Sequence, residues 1–275
     1  MQIHRDLVAF SWRNLWSSKK LRFAALVSLL PLVASVLMHI SQSSNVGHGA
    51  EYRPDYTETL GSLLALTVPL VSLILAGGLL SDEVEDRTLT YLLVRPIPRA
   101  SLYVSKAIPV LAASAVLGAA QALLLGLGQL VTAFSLGAHL QVPLADGSGS
   151  IAAPLVILRV IPGAMLGCAL VAAVLSAVFG FTSLWTTRFH FVANTLYYLA
   201  WELPFSHLAG PSLLTATYWG LSLTADADPT VHGDLGAGAP WWVAAPVLAG
   251  MAWFWLWVAT KRMPKRDFNI TSAAT

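Results

Sequence analysis

Long apolar runs separated by short polar stretches dominate the chain. A helix needs roughly 20 mostly apolar residues to cross the hydrocarbon core of a bilayer, and six runs approach or exceed that length. They cover residues 23–40, 59–80, 107–134, 154–181, 191–208 and 241–260. The pattern therefore predicts an all-α integral membrane protein in which six transmembrane helices form a single transmembrane domain, 1–275.

Two further segments have a mixed pattern. Residues 1–21 combine aromatic residues such as Trp12 and Trp16 with basic and small polar residues, which is typical of a helix lying at a membrane interface. Residues 211–223, PSLLTATYWGLSL, are apolar but too short to cross a bilayer, and a polar stretch follows them. We expect an N-terminal interfacial helix and a partly apolar external segment before the sixth span.

The stretch from Ser81 to Arg99, between the second and third spans, concentrates charge in an otherwise apolar chain. A charged side chain at the bilayer centre costs at least about 2.5 to 3.5 kcal/mol, so this stretch is expected to face water. Its charged residues are Asp82, Glu83, Glu85, Asp86, Arg87, Arg95 and Arg99.

A short helix is predicted inside this loop, over 82–95. Acidic residues crowd its first turn, where the helix dipole is positive. Pro96 and Pro98 lack a backbone donor and disfavour a helical conformation in the residue before them, so the helix ends near Val94. The side chains that recur at helical spacing on one apolar face are Val84, Thr88, Tyr91 and Leu92.

The order of these features resembles the type-two ABC exporter permeases: a span, an acidic pair, Arg-Thr-Leu, Tyr-Leu-Leu, Arg-Pro-x-x-Arg and the next span. The resemblance implies that the loop carries a coupling helix that docks on a separate ATPase subunit. Arg87 stands where the family more often has glycine. The residues that the resemblance assigns to coupling are Asp82, Glu83, Glu85, Arg87, Thr88, Leu89, Tyr91, Leu92 and Arg95.

The same resemblance implies the partners of the chain. They are a cytoplasmic ABC-type ATPase, a second copy of this permease or a homologous permease, and membrane lipid, with no nucleic acid. ATP and magnesium would be bound by the ATPase, so no cofactor is expected in this chain. The implied function is outward movement of a substrate, and the apolar character of the spans favours an amphiphilic one.

Composition and charge agree with a membrane location. Hydrophobic residues make up 56% of the chain and charged residues only 11%, against roughly 25% charged residues in soluble domains. With six spans, fourteen of the sixteen Lys and Arg residues fall on the side of the N terminus. Basic loops stay in the cytoplasm, so the charges predict a multi-pass protein of the inner (plasma) membrane with both termini cytoplasmic.

Enzyme signatures are missing from the sequence. A phosphate-binding loop requires G-x-x-x-x-G-K-[ST], and no lysine of the chain is preceded by glycine. Zinc-protease and serine-hydrolase motifs are missing as well. We therefore expect no enzymatic activity in this chain and predict that ATP hydrolysis occurs in the partner subunit.

Glu202 and Arg159 are the charged residues that the six-span pattern places within apolar runs. Glu202 lies about 21 Å above Arg188 at 1.5 Å per residue, in the outer part of the bilayer. A carboxylate at such depth faces protein or water. Two interpretations stay open: a group that lines the substrate path or an external gate, or a structural hydrogen-bond partner of Arg159 or of loop backbone.

Two other function classes remain as alternatives. An ion-coupled secondary transporter would use several buried ionisable groups and inverted repeats, whereas the spans hold only Glu202 and Arg159. An integral membrane enzyme that modifies lipids would need clustered catalytic side chains at membrane depth, and no such cluster is evident.

Overall fold

We analysed a computed structural model of the full chain, which describes residues 5–47, 56–79, 98–137, 141–143, 149–186, 189–206, 208, 210–228 and 239–263. The predicted coupling helix, 82–95, lies outside the described residues, and so do all nine of its assigned residues, Asp82 to Arg95.

The described chain is mostly helical. The elements in order are α1 (Arg5–Ser17), α2 (Lys19–Val27), α3 (Leu30–Gly47), α4 (Tyr56–Ala76), α5 (Arg99–Gly137), β1 (Gln141–Pro143), β2 (Ser150–Ala152), α6 (Ala153–Trp185), α7 (His190–Tyr197), a π-helical turn (Tyr198–Glu202), a single α-helical turn (Leu203–Phe205), a 3-10 turn (Pro211–Leu214), α8 (Ala216–Ala225) and α9 (Trp241–Arg262). Helix α1 falls within the predicted interfacial segment, 1–21.

Five helical segments are long and apolar enough to cross a membrane: Lys19–Ser41, Thr59–Ala76, Arg99–Ser135, Ala153–Trp185 and Trp241–Arg262. The chain is therefore a multi-pass membrane protein with about five such helices among its described residues. The count of six stays a prediction, because the predicted fifth span, 191–208, is not one continuous α-helix.

Helix α6 forms the centre of the bundle and packs against α4, α5, α8 and α9. Apart from Arg159 near its start, it carries no charged residue, as expected for a helix that packs against several others. Glycines bring neighbouring backbones close to it: an added Cβ at Gly118 of α5 would lie 2.6 Å from the carbonyl oxygen of Cys168. Small residues at such crossings let membrane helices pack tightly.

The predicted first span, 23–40, is interrupted in the structure. Helix α2 ends at Val27 and α3 begins at Leu30, because Pro31 has no amide hydrogen with which to continue the helical bonding. The amide and hydroxyl groups of Ser28 both donate to the carbonyl of Ala24, at 2.9 and 2.8 Å, and so complete the last turn of α2.

The segment of the predicted fifth span is a short helical run with an irregular middle. Residues 190–205 form a helical run that contains the π-helical turn, and Pro204 lies just past that turn. Sixteen residues rise about 24 Å, which is short of the roughly 30 Å hydrocarbon core. The chain then re-enters the bundle as α8, which packs against α4, α6 and α9.

Two short strands, β1 and β2, lie between α5 and α6. They pair antiparallel, with Val142 opposite Ile151, and β2 leads directly into α6. The apolar side chains of this pair pack on the main core and so cover one end of the bundle.

Candidate functional site

The described residues on either side of the predicted coupling helix meet in one small core. Leu79 is the last described residue before the helix, and Tyr103 follows soon after it. Leu79 packs against the buried cluster that contains Tyr103, which is 0% exposed. The cluster also joins the ends of α6 and α9; its buried members are Tyr103, Val104, Ala107, Leu184, Ala259 and Met263. We call it the base cluster.

A buried polar contact ties α6 to α7. The hydroxyl of Thr182 donates to the side-chain oxygen of Asn194, and Asn194 is fully buried. An added Cβ at Gly77, just beyond α4, would lie 3.4 Å from the amide nitrogen of that asparagine. The end of α4 that precedes the predicted coupling helix is thus packed against both α6 and α7.

Glu202 is 1% exposed, and its side chain lies at the start of α8. Its carboxylate accepts hydrogen bonds from the amide of Thr217, at 2.7 Å, and from the hydroxyl of the same residue, at 3.1 Å. Thr217 is the second residue of α8, and Thr215 before the helix makes no side-chain capping bond. Amides in a first helical turn have no acceptor within the helix, so Glu202 satisfies one of them from 15 residues away.

The charge of Glu202 suits this position. The N-terminal end of a helix carries partial positive charge, and a carboxylate there is stabilised. The π-helical turn that ends at Glu202 sets the direction of its side chain, since five-residue spacing rotates the chain differently from an α-turn. Sequence reasoning identified this residue but could not locate its partner.

Arg159 occupies a different environment. It lies in the early part of α6 and is exposed, whereas Glu202 is buried. Within the described residues, Glu202 is bonded to Thr217 and not to Arg159. The arrangement supports a structural bond from Glu202 to backbone, while the substrate-path or gate role of either residue remains a prediction.

A second polar contact, which sequence reasoning missed, joins the first three apolar segments. Gln121 of α5 is 0% exposed and donates to the hydroxyl of Ser28 at 3.1 Å. The hydroxyl of Thr67 in α4 donates to the side-chain oxygen of Gln121, also at 3.1 Å. Gln121 therefore connects α4 and α5 to the point where α2 ends. A glutamine inside a long apolar run was the signal that could have identified it.

A thioether sulfur accepts hydrogen bonds in a further polar contact, which joins α3 to α4 and α5. The thioether of Met38 accepts from Gln129 at 3.4 Å and from Thr59 at 3.3 Å. Nearby, an added Cβ at Gly128 would collide with the side chain of Ser35, so α3 and α5 are in close contact here. Polar contacts thus recur along the junction of α3, α4 and α5.

A glycine pair was also missed by sequence reasoning. Gly163 and Gly167 are spaced as G-x-x-x-G, a pattern that lets membrane helices approach closely. An added Cβ would lie 2.9 Å from the carbonyl oxygen of Leu223 at the first position and 2.8 Å from that of Gly220 at the second. The pair on α6 therefore forms the surface on which α8 packs.

A family model described as ABC-2 family transporter protein matches residues 18–183. The match includes α2 to α5, nearly all of α6, the Gln121 contact and the predicted coupling helix, and it ends before Glu202. No curated protein matches the chain.

Proposed function

Because the chain belongs to the ABC-2 family of transporter proteins and is a membrane permease subunit, we propose that it works in an ATP-driven exporter that moves an amphiphilic substrate outward. The resemblance that the 81–99 segment predicted is confirmed by the match. That match over 18–183 is the observation that carries the proposal, since it includes the whole charged loop.

The ATP-binding component is proposed to be a separate cytoplasmic ATPase, which binds ATP and magnesium. A permease of this family is a transmembrane subunit and not itself an enzyme, and the family implies an ABC transporter system with an ATPase partner. We further propose that the permease forms a homodimer, or pairs with a homologous permease, in the inner (plasma) membrane. The distribution of Lys and Arg supports cytoplasmic termini.

Coupling is proposed to pass through the 82–95 helix. An exposed apolar face on a water-facing loop marks an interaction site, and a docked ATPase would bury it. The base cluster supports this role, because Leu79 and Tyr103 pack in the same core as the ends of α6 and α9. Displacement of the docked helix would therefore act on several helices together.

The alternatives, an ion-coupled secondary transporter and a lipid-modifying enzyme, are not favoured by the family. For Glu202 we propose a structural role as the cap of α8, supported by its two bonds to Thr217. A gate or substrate-path role for Glu202 and Arg159 is the competing proposal, and the Glu202 variants discussed below distinguish the two.

The test of the proposed function is a double variant, Tyr91→Ser with Leu92→Ser, in the apolar face of the coupling helix. Burial of each side chain contributes about 1.5 to 3 kcal/mol, so the double variant is expected to lose the ATPase from the purified complex and to lose transport-linked ATP hydrolysis. Co-purification and ATPase activity in reconstituted vesicles measure both effects.

Leu93→Ser is the matched control, because helical periodicity places Leu93 on the side opposite Val84. It removes a leucine from the same helix and should leave complex formation intact. Full complex formation and full coupling in the Tyr91, Leu92 variant would contradict the assignment of this helix to docking.

A further inference from the structure

A groove of about 430 Å³ runs between the interfacial helix α1 and the start of the long helix α5. One wall is a single face of α1, whose residues recur at helical spacing. Those residues are Arg5, Val8, Ala9, Trp12 and Arg13. Ile108 and Pro109 of α5 form the opposite wall. The groove is open to its surroundings, so a ligand would lie along it rather than inside an enclosed pocket.

The groove has apolar walls and a basic residue at each end. The two basic residues are the arginines at either end of the α1 face. Arg5 and Arg13 are both exposed, and among the described residues neither guanidinium group has a hydrogen-bond or ion-pair partner. Asp6 is the acidic neighbour on α1, and it does not line the groove. The arginines therefore line the groove through their aliphatic stems, and their charged groups stand at its rim, where an anion could reach them.

The two arginines are close enough to share one ligand. Eight residues of helix separate their backbones by about 12 Å, and each side chain is long and flexible enough to reach toward the middle. Guanidinium groups bind phosphate oxygens in a bidentate geometry. Two of them favour a headgroup with net negative charge over one in which a choline cation neutralises the phosphate.

The groove also lies at a suitable depth. The predicted third span, 107–134, is about 42 Å long, which matches a bilayer with its headgroup layers, about 40–45 Å. Ile108 and Pro109 stand at the beginning of that span, so they lie at headgroup level. Trp12 of α1 is a residue type that is enriched at the same level.

We propose that this groove binds one anionic phospholipid molecule, with its phosphate between Arg5 and Arg13 and one acyl chain along Val8, Ala9 and the α5 wall. Such a lipid would join the interfacial helix to the bundle. The proposal depends on the membrane location of the chain and not on the direction or energy source of transport.

The experiment is native mass spectrometry of the purified full-length chain, delipidated and titrated with phosphatidylglycerol or with phosphatidylcholine of the same acyl chains. The wild-type chain should retain one phosphatidylglycerol molecule and little phosphatidylcholine. The double variant Arg5→Gln, Arg13→Gln should weaken phosphatidylglycerol binding about 25-fold, because each basic residue near an anionic headgroup contributes about fivefold.

Two controls distinguish lipid binding in the groove from non-specific electrostatic attraction of the lipid to basic residues. The double variant Lys19→Gln, Lys261→Gln removes the same charge from exposed positions outside the groove and should leave binding unchanged. Ala9→Phe fills the groove with both arginines intact and should weaken binding, whereas Ala25→Phe enlarges an exposed alanine of α2 and should not. Protection of the buried Cys168 from a thiol reagent verifies that each variant is folded.

Equal losses of phosphatidylglycerol binding in the two charge variants would overturn the proposal in favour of general electrostatic attraction. Equal retention of the two lipids, or unchanged binding in Ala9→Phe, would overturn it as well.

Discussion

Two buried polar contacts hold different parts of the bundle, and their chemistry differs. The Gln121 contact joins α2, α4 and α5 through three neutral side chains. The Glu202 contact joins the π-helical turn to α8 through a carboxylate and a backbone amide. The difference between them lies in what each partner can do when the contact is lost.

The partners of Gln121 have other acceptors. The hydroxyl of Ser28 donates to the carbonyl of Ala24 at 2.8 Å, and that of Thr67 lies 3.2 Å from the carbonyl of Leu63. The amide of Thr217 has no such choice, because it belongs to the first turn of a helix. A buried donor left without a partner costs free energy, so the two contacts should respond very differently to mutation.

The largest effect is expected for Glu202→Ala. The variant leaves a buried amide unpaired and removes a hydrogen bond to a charged group, so the free energy of unfolding should fall by about 2 to 4 kcal/mol. The chain has a single cysteine, Cys168, and it is 0% exposed. A thiol-reactive fluorophore therefore measures thermal unfolding of the purified protein in detergent.

Glu202→Gln sharpens the comparison, because it keeps an acceptor for Thr217 and removes the charge. As a cap variant it should retain most of the stability that Glu202→Ala loses, and it should retain transport. Wild-type stability combined with abolished transport would contradict the capping role and favour the gate.

An intermediate effect is expected for Gly167→Leu. The new side chain would begin 2.8 Å from the carbonyl oxygen of Gly220 and push α8 away from α6. Overpacking of this kind costs about 1 to 3 kcal/mol, measured by the same thiol assay. Gly250→Leu is the control, since an added Cβ there meets no atom within 4 Å among the described residues. Equal losses of stability in both variants would show that the packing of α8 on α6 does not depend on this close contact.

Sequence reasoning identified the membrane class and the family because both depend on local features. Apolar runs define spans whatever their packing, and the charged 81–99 segment carries its motif in consecutive residues. The family that this motif predicted is the one whose model matches. The residues assigned to coupling lie outside the described chain and stay predictions.

The tertiary partners were not predictable in the same way. Glu202 was identified because a carboxylate in an apolar run must find a partner, but the π-helical turn that directs it to Thr217 has no clear sequence signal. Gln121 was missed because a neutral amide is a weaker signal than a charge. The break before α3 could have been read from Pro31, and the packing surface of α8 from the spacing of Gly163 and Gly167.

The smallest effect is expected for Gln121→Leu. Leucine fills most of the same volume. The hydroxyls of Ser28 and Thr67 keep the carbonyls of Ala24 and Leu63 as hydrogen-bond acceptors. Hydrogen bonds between membrane helices contribute about 0.6 kcal/mol on average, so the loss of stability should stay below about 1 kcal/mol. Gln121→Ala removes the same bonds and also leaves a cavity, and should cost more than the leucine variant.

The double variant Gln121→Leu, Glu202→Gln then tests whether the two contacts are independent. They share no hydrogen-bond partner within the described residues, and changes at independent sites add to within about 0.5 kcal/mol. We expect additive shifts in the thiol assay. The hydroxyl of Tyr198 donates to the carbonyl of Ala65 in α4 and so links the π-helical turn to the helix that carries Thr67. A coupling above about 1 kcal/mol would mean that this link transmits strain between the two regions; Tyr198→Phe should then abolish the coupling, and the two contacts would be parts of one network.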